Sequence, residues 1–290
     1  MAYSTGSVTN LNDFINTLKT FLTTNGWTNL KDSGTPRELF FRNVDSDVVI
    51  GFKLNTNNTT YFNLLLNVCN SYNAGNAFYS QSGSINHYPD NSVNTNDIAP
   101  VATLHDNAIN YWFFLNNRRL IVIAKCSTSY ISFYVGKFLA YGSPMQYPKP
   151  YFAGANGYEI NQLLSDTDVK NESFIHQRSN KIKGCSVLKD ENSNWIKINN
   201  STVNGTTGLG MIYPNNVLQS KLAKNTDASY NLIPTILFND TSAAGELDGI
   251  NMISGIGLSP ENILTIDTDE YVIFNNIFRT TQSDFFAIKK

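Results

Sequence analysis

The sequence predicts an α+β protein, predominantly antiparallel β, in which an N-terminal amphipathic helix packs on a sheet and a β-rich C-terminal domain follows. Three observations carry that prediction. A single segment, near the N-terminus, repeats its apolar residues at helical spacing. Short runs of β-branched and aromatic residues, separated by clusters of Asn, Gly, Ser and Asp, fill most of the remaining chain. Three prolines, Pro144, Pro148 and Pro150, interrupt those runs near the middle and divide the chain into residues 1–145 and 146–290.

The helix is predicted over about 10 to 25. Leu11, Phe14, Ile15, Leu18, Phe21 and Leu22 form one apolar face, Asn10 is placed to cap the N-terminus, Asp13 lies in the first turn, and Gly26 follows where a left-handed residue ends a helix. Strands are predicted next at Trp27 to Lys31, Glu38 to Asn43, Val48 to Leu54 and Tyr61 to Cys69, with turns at 32–34 and 55–58. Residues 70 to 100 lose this periodicity and scatter Tyr72, Phe78, Tyr79 and Tyr88 among Asn, Ser and Gly, the composition of a long recognition or packing loop. Ile109 to Leu115 and Arg119 to Ala124 read as a hairpin about Asn116-Asn117, residues that tolerate the positive φ of a tight turn. Ser129 to Phe138 is the next partner. The Pro-rich arm 141–151 reads as an extended crossing segment. Beyond it lie short β-like runs at 185–188, 195–198, 209–213, 232–238, 252–256, 263–266, 271–274 and 285–288. No period of 20 to 50 residues suggests a solenoid or propeller.

Composition excludes several classes of function. The 290 residues carry 21 Lys and Arg against 23 Asp and Glu, a net charge of −2, so no broad field draws nucleic acid or anionic lipid. Only 15% of residues are charged, against roughly 25% in ordinary soluble proteins, and 40 asparagines supply polarity instead. No stretch approaches the ~20 apolar residues of a membrane span. Met1 to Gly6 lacks a basic and then apolar leader, so synthesis in the cytoplasm is expected. Cys69, Cys126 and Cys185 are odd in number and widely spaced, the pattern of free buried thiols.

Catalytic chemistry finds no home in the sequence. His87, His105 and His176 lie outside any nucleophile signature, and His105-Asp106, adjacent on a strand, point to opposite faces. Asp45-Ser46-Asp47 and Asp267-Thr268-Asp269-Glu270 lack the glycine and terminal glutamate of a calcium loop and read as turns. Gly208-Leu209-Gly210 and Gly255-Ile256-Gly257 lack the third glycine of a dinucleotide site. Arg118-Arg119 is too slight a basic patch for nucleic acid. No catalytic residue, metal or cofactor is expected, and no enzyme.

At residues 112 to 151 the chain resembles a family of virion structural proteins of tailed bacteriophages. The run Trp112-Phe113-Phe114-Leu115-Asn116-Asn117-Arg118-Arg119-Leu120-Ile121-Val122-Ile123-Ala124-Lys125 carries the likeness, with Ser127 to Tyr130 and Gly142-Ser143-Pro144 to Tyr147-Pro148. Met1 to Gly6, Gly26-Trp27, Gly245 to Gly249, Ser254 to Gly257, Phe278 to Thr281 and Asp284 to Ile288 are similar to it as well. The resemblance implies a tail or baseplate subunit of the virion, making contacts with other virion proteins and with copies of itself, and able to hold a receptor-binding fibre. It supplies no catalytic motif. Tyr147, Pro148, Pro150 and Tyr151 are the expected contact anchors, since a rigid aromatic arm gives area at little entropic cost. The alternative is a carbohydrate-binding module, with the 70–100 loop stacking on a host glycan.

Overall fold

The computed structural model describes residues 1–55, 62–85, 100–143, 146–157, 174–175, 186–198, 211–213, 229–239, 242–276, 281–282 and 284–290. Three antiparallel sheets carry the fold. The central sheet runs in the order β1 (Ala2–Val8), β7 (Ile109–Leu115), β8 (Arg119–Cys126), β9 (Ser129–Lys137), β11 (Tyr151–Gly154), β12 (Ser186–Lys189), β13 (Trp195–Ile198). One flanking sheet is β2 (Thr28–Ser33), β3 (Glu38–Asn43), β4 (Val48–Asn55), β5 (Phe62–Cys69), β6 (Val101–Leu104). The other is β14 (Met211–Tyr213), β15 (Ile233–Asn239), β16 (Ser242–Ile253), β19 (Phe285–Lys289), β18 (Asp269–Asn275), β17 (Ile263–Ile266), with β10 (Leu139–Ala140) also paired to β16.

The middle strands of the central sheet, β7 to β9, are buried on both faces. Alternation along its strands sends Tyr111, Phe113, Leu120, Val122, Ile131 and Phe133 into one core with β3, β4 and β5. Their neighbours Trp112, Phe114, Ile121, Ile123, Tyr130 and Tyr134 enter a second core with β16, β18 and β19. Phe133 meets Phe52 across the first interface at 6.2 Å, and Trp112 meets Phe274 across the second at 5.3 Å. This explains why Tyr111 to Leu115 and Leu120 to Ala124 are apolar at every position rather than at alternate ones. A small third cluster, Ile253, Tyr271, Ile273, Phe285 and Ala287, covers the outer side of the β16–β19–β18 sheet.

The helix α1 (Leu11–Thr24) forms where its periodicity places it. The Asn10 side chain accepts from Asp13 N at 2.8 Å, Asp106 Oδ1 accepts from Leu11 N at 2.9 Å, and Gly26 has φ +85°. Its buried face is Leu11, Phe14, Ile15, Leu18 and Leu22, and the rings of Phe14 and Phe21 lie 5.6 and 5.5 Å from Phe113 of β7. Asp32 on β2 takes Arg37 Nε at 2.6 Å and Lys19 of the helix at 2.6 Å, while Arg37 reaches Asn12 and Asn16 of the helix.

Two expectations are corrected. The hydrogen-bonded ladder crosses residue 145: the chain leaves β9, makes β10 on the other sheet, and returns as β11 beside β9, with β12 and β13 beyond. The boundary expected between 1–145 and 146–290 therefore cuts through the central sheet instead of separating one sheet from another. The Asn116-Asn117 turn works by a different device, since neither residue has positive φ. Asn116 Oδ1 instead accepts from Arg118 N and Arg119 N at 2.8 and 3.0 Å, holding the turn by its side chain.

Double burial makes a direct prediction for Phe113 and Phe114, adjacent residues facing opposite cores. Each replacement by Ala is expected to cost about 3–5 kcal/mol in denaturant unfolding. A mild effect at either one would mean that one face of the sheet is uncovered. Acid provides a second test. The hydrogen bond from Arg37 above all, with a lesser one from Lys19, holds Asp32 at about 2 although burial pushes the other way. Its stabilisation is present above the unfolded value of about 3.9 and is lost as pH falls towards 2. Thermal unfolding midpoints from pH 5 to 2 should fall further for the native protein than for Asp32→Asn, and parallel curves would remove Asp32 from this role.

Candidate functional site

The Pro-rich arm, the β3–β4 turn at 44–47, the β7–β8 turn at 116–118 and the β16 bulge at 248–249 gather at one end of the sheets. Bonds between them fix the end. Ser46 Oγ donates to Asn117 O, Lys137 Nζ to Ser46 O, Lys149 pairs with Asp47 at 3.1 Å, and Arg118 pairs with Asp248 at 3.0 Å. Met1, Val44 and Tyr141, three of the four exposed large hydrophobic side chains among the described residues, belong to this end. A cleft of about 380 Å³ opens there between Met1, Gly26, Asn43, Asp45, Asn116 and Asn117. Loops at the end of a rigid sandwich are where recognition residues are usually carried.

The arm does not present its tyrosines to that surface. Tyr147 is 5% exposed and packs edge-on against Phe138 at 6.0 Å, and Tyr151, 0% exposed, opens β11 with its hydroxyl donating to Asp47 O at 3.3 Å. Both phenols are pushed up by burial. As expected contact anchors these two residues are corrected, because their rings already complete the chain's own cores. Pro148 is exposed and Pro150 half-buried, so of the four only the prolines have surface to offer.

Behind the arm sits a buried cation. Lys189 of β12 is 3% exposed, donates to Gly83 O at 3.2 Å, and holds its Nζ 5.5 Å from the rings of both Tyr151 and Trp195. Trp195 Nε1 donates to the same carbonyl at 3.2 Å. Burial lowers the Lys189 ammonium, Lys149 adding to it, and the two ring faces offset some of that penalty. The arrangement fastens the 70–85 loop to the central sheet. Tyr72 and Phe78 lie 4.9 and 5.2 Å from Phe40, and Asn67 Nδ2 donates to Phe78 O at 2.7 Å. The Phe78 and Tyr79 rings are buried and Tyr72 is half-buried, so this stretch of the loop offers no free platform for a sugar. Tyr88 falls outside the described residues.

A second buried charge was not legible in the sequence. Arg119 of β8 is wholly buried. Its Nη1 donates to Phe114 O at 3.1 Å, its Nη2 lies 3.0 Å from Met1 Sδ, and its Nε stands 3.7 Å from Asp248 Oδ2, close enough for ion pairing and too far for a hydrogen bond. Asp248 also takes Asn116 Nδ2 at 2.7 Å. Gly249, at φ +80°, leaves the room: a Cβ there would stand 2.4 Å from Arg119 Nη2. Arg118-Arg119 is thus a joint between two sheets and not a nucleic-acid patch. The one sequence signal was Asp248-Gly249, which no spacing rule connects with Arg119.

The remaining candidates resolve into structure. His105 Nε2 bonds Ala108 O at 3.1 Å within its own turn, while Asp106 caps α1. Asp47 and Asp267 take the left-handed positions of hairpin turns, φ 50° and 55°. Cys69 and Cys126 are free, buried and pushed up to about 12 by burial, which makes them unreactive. Among the described residues no group of three His, Cys, Asp or Glu side chains could hold a metal. His87, His176, Cys185 and Gly208 to Gly210 fall outside them. Compared with known sequences, the chain matches no family model, and no curated protein matches it significantly.

Burial of the arm sets the outcome of two substitutions. Tyr151→Ala should lower the stability of the isolated protein by about 3–5 kcal/mol, as for other large core aromatics. Pro148→Ala, at an exposed position, should stay within about 0.5 kcal/mol. Chemical denaturation of both variants checks this, and a small effect at Tyr151 would return that ring to the surface.

Proposed function

We propose that the chain is a structural component of a bacteriophage virion, a tail or baseplate subunit that acts through protein contacts and can hold a receptor-binding fibre. The supporting observation is where the resembling segments lie. They are scattered from Met1 to Ile288 in sequence, yet they supply β1, β7 and β8 of the central sheet and stretches of β16 and β19 of the sheet beside it. β1 pairs with β7 along its whole length, β7 with β8, and β16 with β19. Arg119 and Asp248, drawn from two of those segments, meet at the joint. Segments that share a likeness and build one contiguous body point to a shared scaffold more strongly than isolated matches do.

A body of three sheets, with Arg119, Lys189 and Asp248 engaged in structural contacts, suits a load-bearing joint. The low charge suits close packing against neighbours. On this reading the N-terminal helix-on-sheet layer and the β-rich C-terminal layer work as one rigid unit. Partners are virion proteins and further copies of the chain, and neither nucleic acid nor membrane is contacted. Mass spectrometry of purified particles made by the source genome should find the chain at fixed stoichiometry, and gold-labelled antibody should mark the tail. Its absence from infectious particles would overturn the proposal.

A further inference from the structure

Among the described residues, the open edges of the three sheets are β1, β13, β14, β17, β2 and β6, and most are blunted. β2 carries Lys31 and Asp32 and a bulge between Asn29 and Lys31. β6 is closed by paired bonds between Val101 and Gly157. β13 and β17 have four residues each and β14 has three. β1 differs from all of them. It is seven residues long, Ala-Tyr-Ser-Thr-Gly-Ser-Val, without a charge or a proline, and it pairs with β7 from Ala2↔Leu115 to Val8↔Ile109 with no register shift. Thr5, Gly6 and Ser7 are exposed. A long, flat, uncharged edge is a template for another strand, and isolated proteins ordinarily protect such an edge with charges, bulges or prolines.

A groove runs beside this edge. Ser4 of β1 and Asn16, Thr17, Thr20, Phe21 and Thr24 of α1 line about 400 Å³, a lining without a charged side chain, while Arg37, which donates to Asn16 Oδ1 at 3.0 Å, is paired with Asp32. Its walls are hydroxyls and amides with the half-buried flank of Phe21. Whatever adds to β1 must therefore be extended, small in its side chains, and neutral. The strand that meets this description is β1 itself.

We propose that two copies of this chain associate through antiparallel β1–β1 pairing about a two-fold axis at Thr5, which joins their central sheets into one. Centred there, Ala2 stands opposite Val8 of the second copy, Tyr3 opposite Ser7, Ser4 opposite Gly6, and Thr5 opposite Thr5. Every pair sets a larger residue against a smaller one or a residue against itself, and none sets like charges together. Directly opposed residues share a face of the sheet, so Ala2 and Val8, which both pack against the core under α1, continue that core across the axis. The axis is perpendicular to the sheet, so the two copies of α1 lie on the same side. The axis sets the two helices antiparallel, so the row Asn16, Thr20 and Thr24, spaced four apart on the exposed flank of the helix, runs past the same row reversed, with Asn16 towards Thr24 of the second copy. Net charge of −2 offers little repulsion to that approach.

This inference deepens the assembly reading and rests on it for the choice of a second copy as the occupant. The two fail separately, because the virion role is read on particles and the edge is read on the purified protein.

Light scattering coupled to gel filtration on the full chain should give twice the 32.3 kDa mass at high concentration. Ser7→Lys on the edge and Thr20→Lys in the groove should each return it to the monomer with unchanged melting of the fold. Thr5→Cys is the geometric test. Opposed residues in an antiparallel pair lie about 4.5–5.5 Å apart between Cα atoms, within the range a disulfide spans. A mild oxidant should therefore link Thr5→Cys chains covalently in pairs. Ser7→Cys should not link, because its own equivalent would lie roughly 13 Å away along the ladder, four residues at about 3.3 Å. A chain that stays monomeric and unlinked at Thr5→Cys overturns the proposal, as does a dimer that survives both lysine variants.

Discussion

The middle of the central sheet, β7 to β9, has no solvated face, and that constraint decides where most of the rest can go. An antiparallel sheet commonly leaves one side to water, and its strands then alternate apolar and polar residues. Here β7, β8 and β9 present apolar side chains both ways, so one flanking sheet must be found on each side before the strands are stable. The chain satisfies this in order. The sheet from β2 to β6 is laid down before β7, β8 and β9, and the sheet from β15 to β19 after them. The short β10 steps from the central sheet to the β16 layer and back, so that flanking layer is not free to separate from the centre.

Burial on both faces also explains the placement of charge. A cation inside a sandwich is costly unless its donors are engaged. Arg119 and Lys189 are both inside, and each sits at a joint between elements of the fold. Arg119 reaches from the central sheet to Asp248 on β16 and the chain end at Met1, where a hairpin end, a bulge and a terminus converge. Lys189 reaches from β12 to the Gly83 carbonyl and lies between two aromatic rings. Each gathers contacts from segments far apart in sequence.

What was legible in the sequence was local. Helix α1 could be read because capping, periodicity and the C-terminal glycine act within fifteen residues, and β3 and β4 because their turns are marked by Gly and Asp. β1 was not read, since Ala2 to Val8 has neither strong alternation nor a turn before it. Its strand character comes from pairing with β7 more than a hundred residues away. The apparent boundary at 145 failed for the same reason. Prolines do break the chain there, but pairing resumes on the same sheet at β11, and proline density reports a local interruption only. The arm's tyrosines were misplaced because aromatic residues between prolines look alike in sequence whether they face a partner or their own core.

Asparagine abundance also has a structural reading that composition alone did not supply. Forty such residues suggested a polar surface with little charge, yet many of them work inside the fold. Asn10 caps the helix, Asn43 accepts from Ser46 N in the β3–β4 turn, Asn67 holds Phe78 O and accepts from Ile85 N, Asn116 closes the β7–β8 turn, and Asn156 accepts from Thr103 N. A neutral amide can both donate and accept, so one side chain satisfies two orphaned backbone groups at a loop without the desolvation penalty of a carboxylate or an ammonium. These amide bonds are not loosened by salt screening, and at the β3–β4 and β7–β8 turns they act beside the ion pairs Lys149–Asp47 and Arg118–Asp248. Where amides and hydroxyls take the place of charge, the strand β1 and the lining of the α1 groove are neutral. The same substitution of amide for charge that stabilises the loops thus removes the usual obstacle to contact between copies.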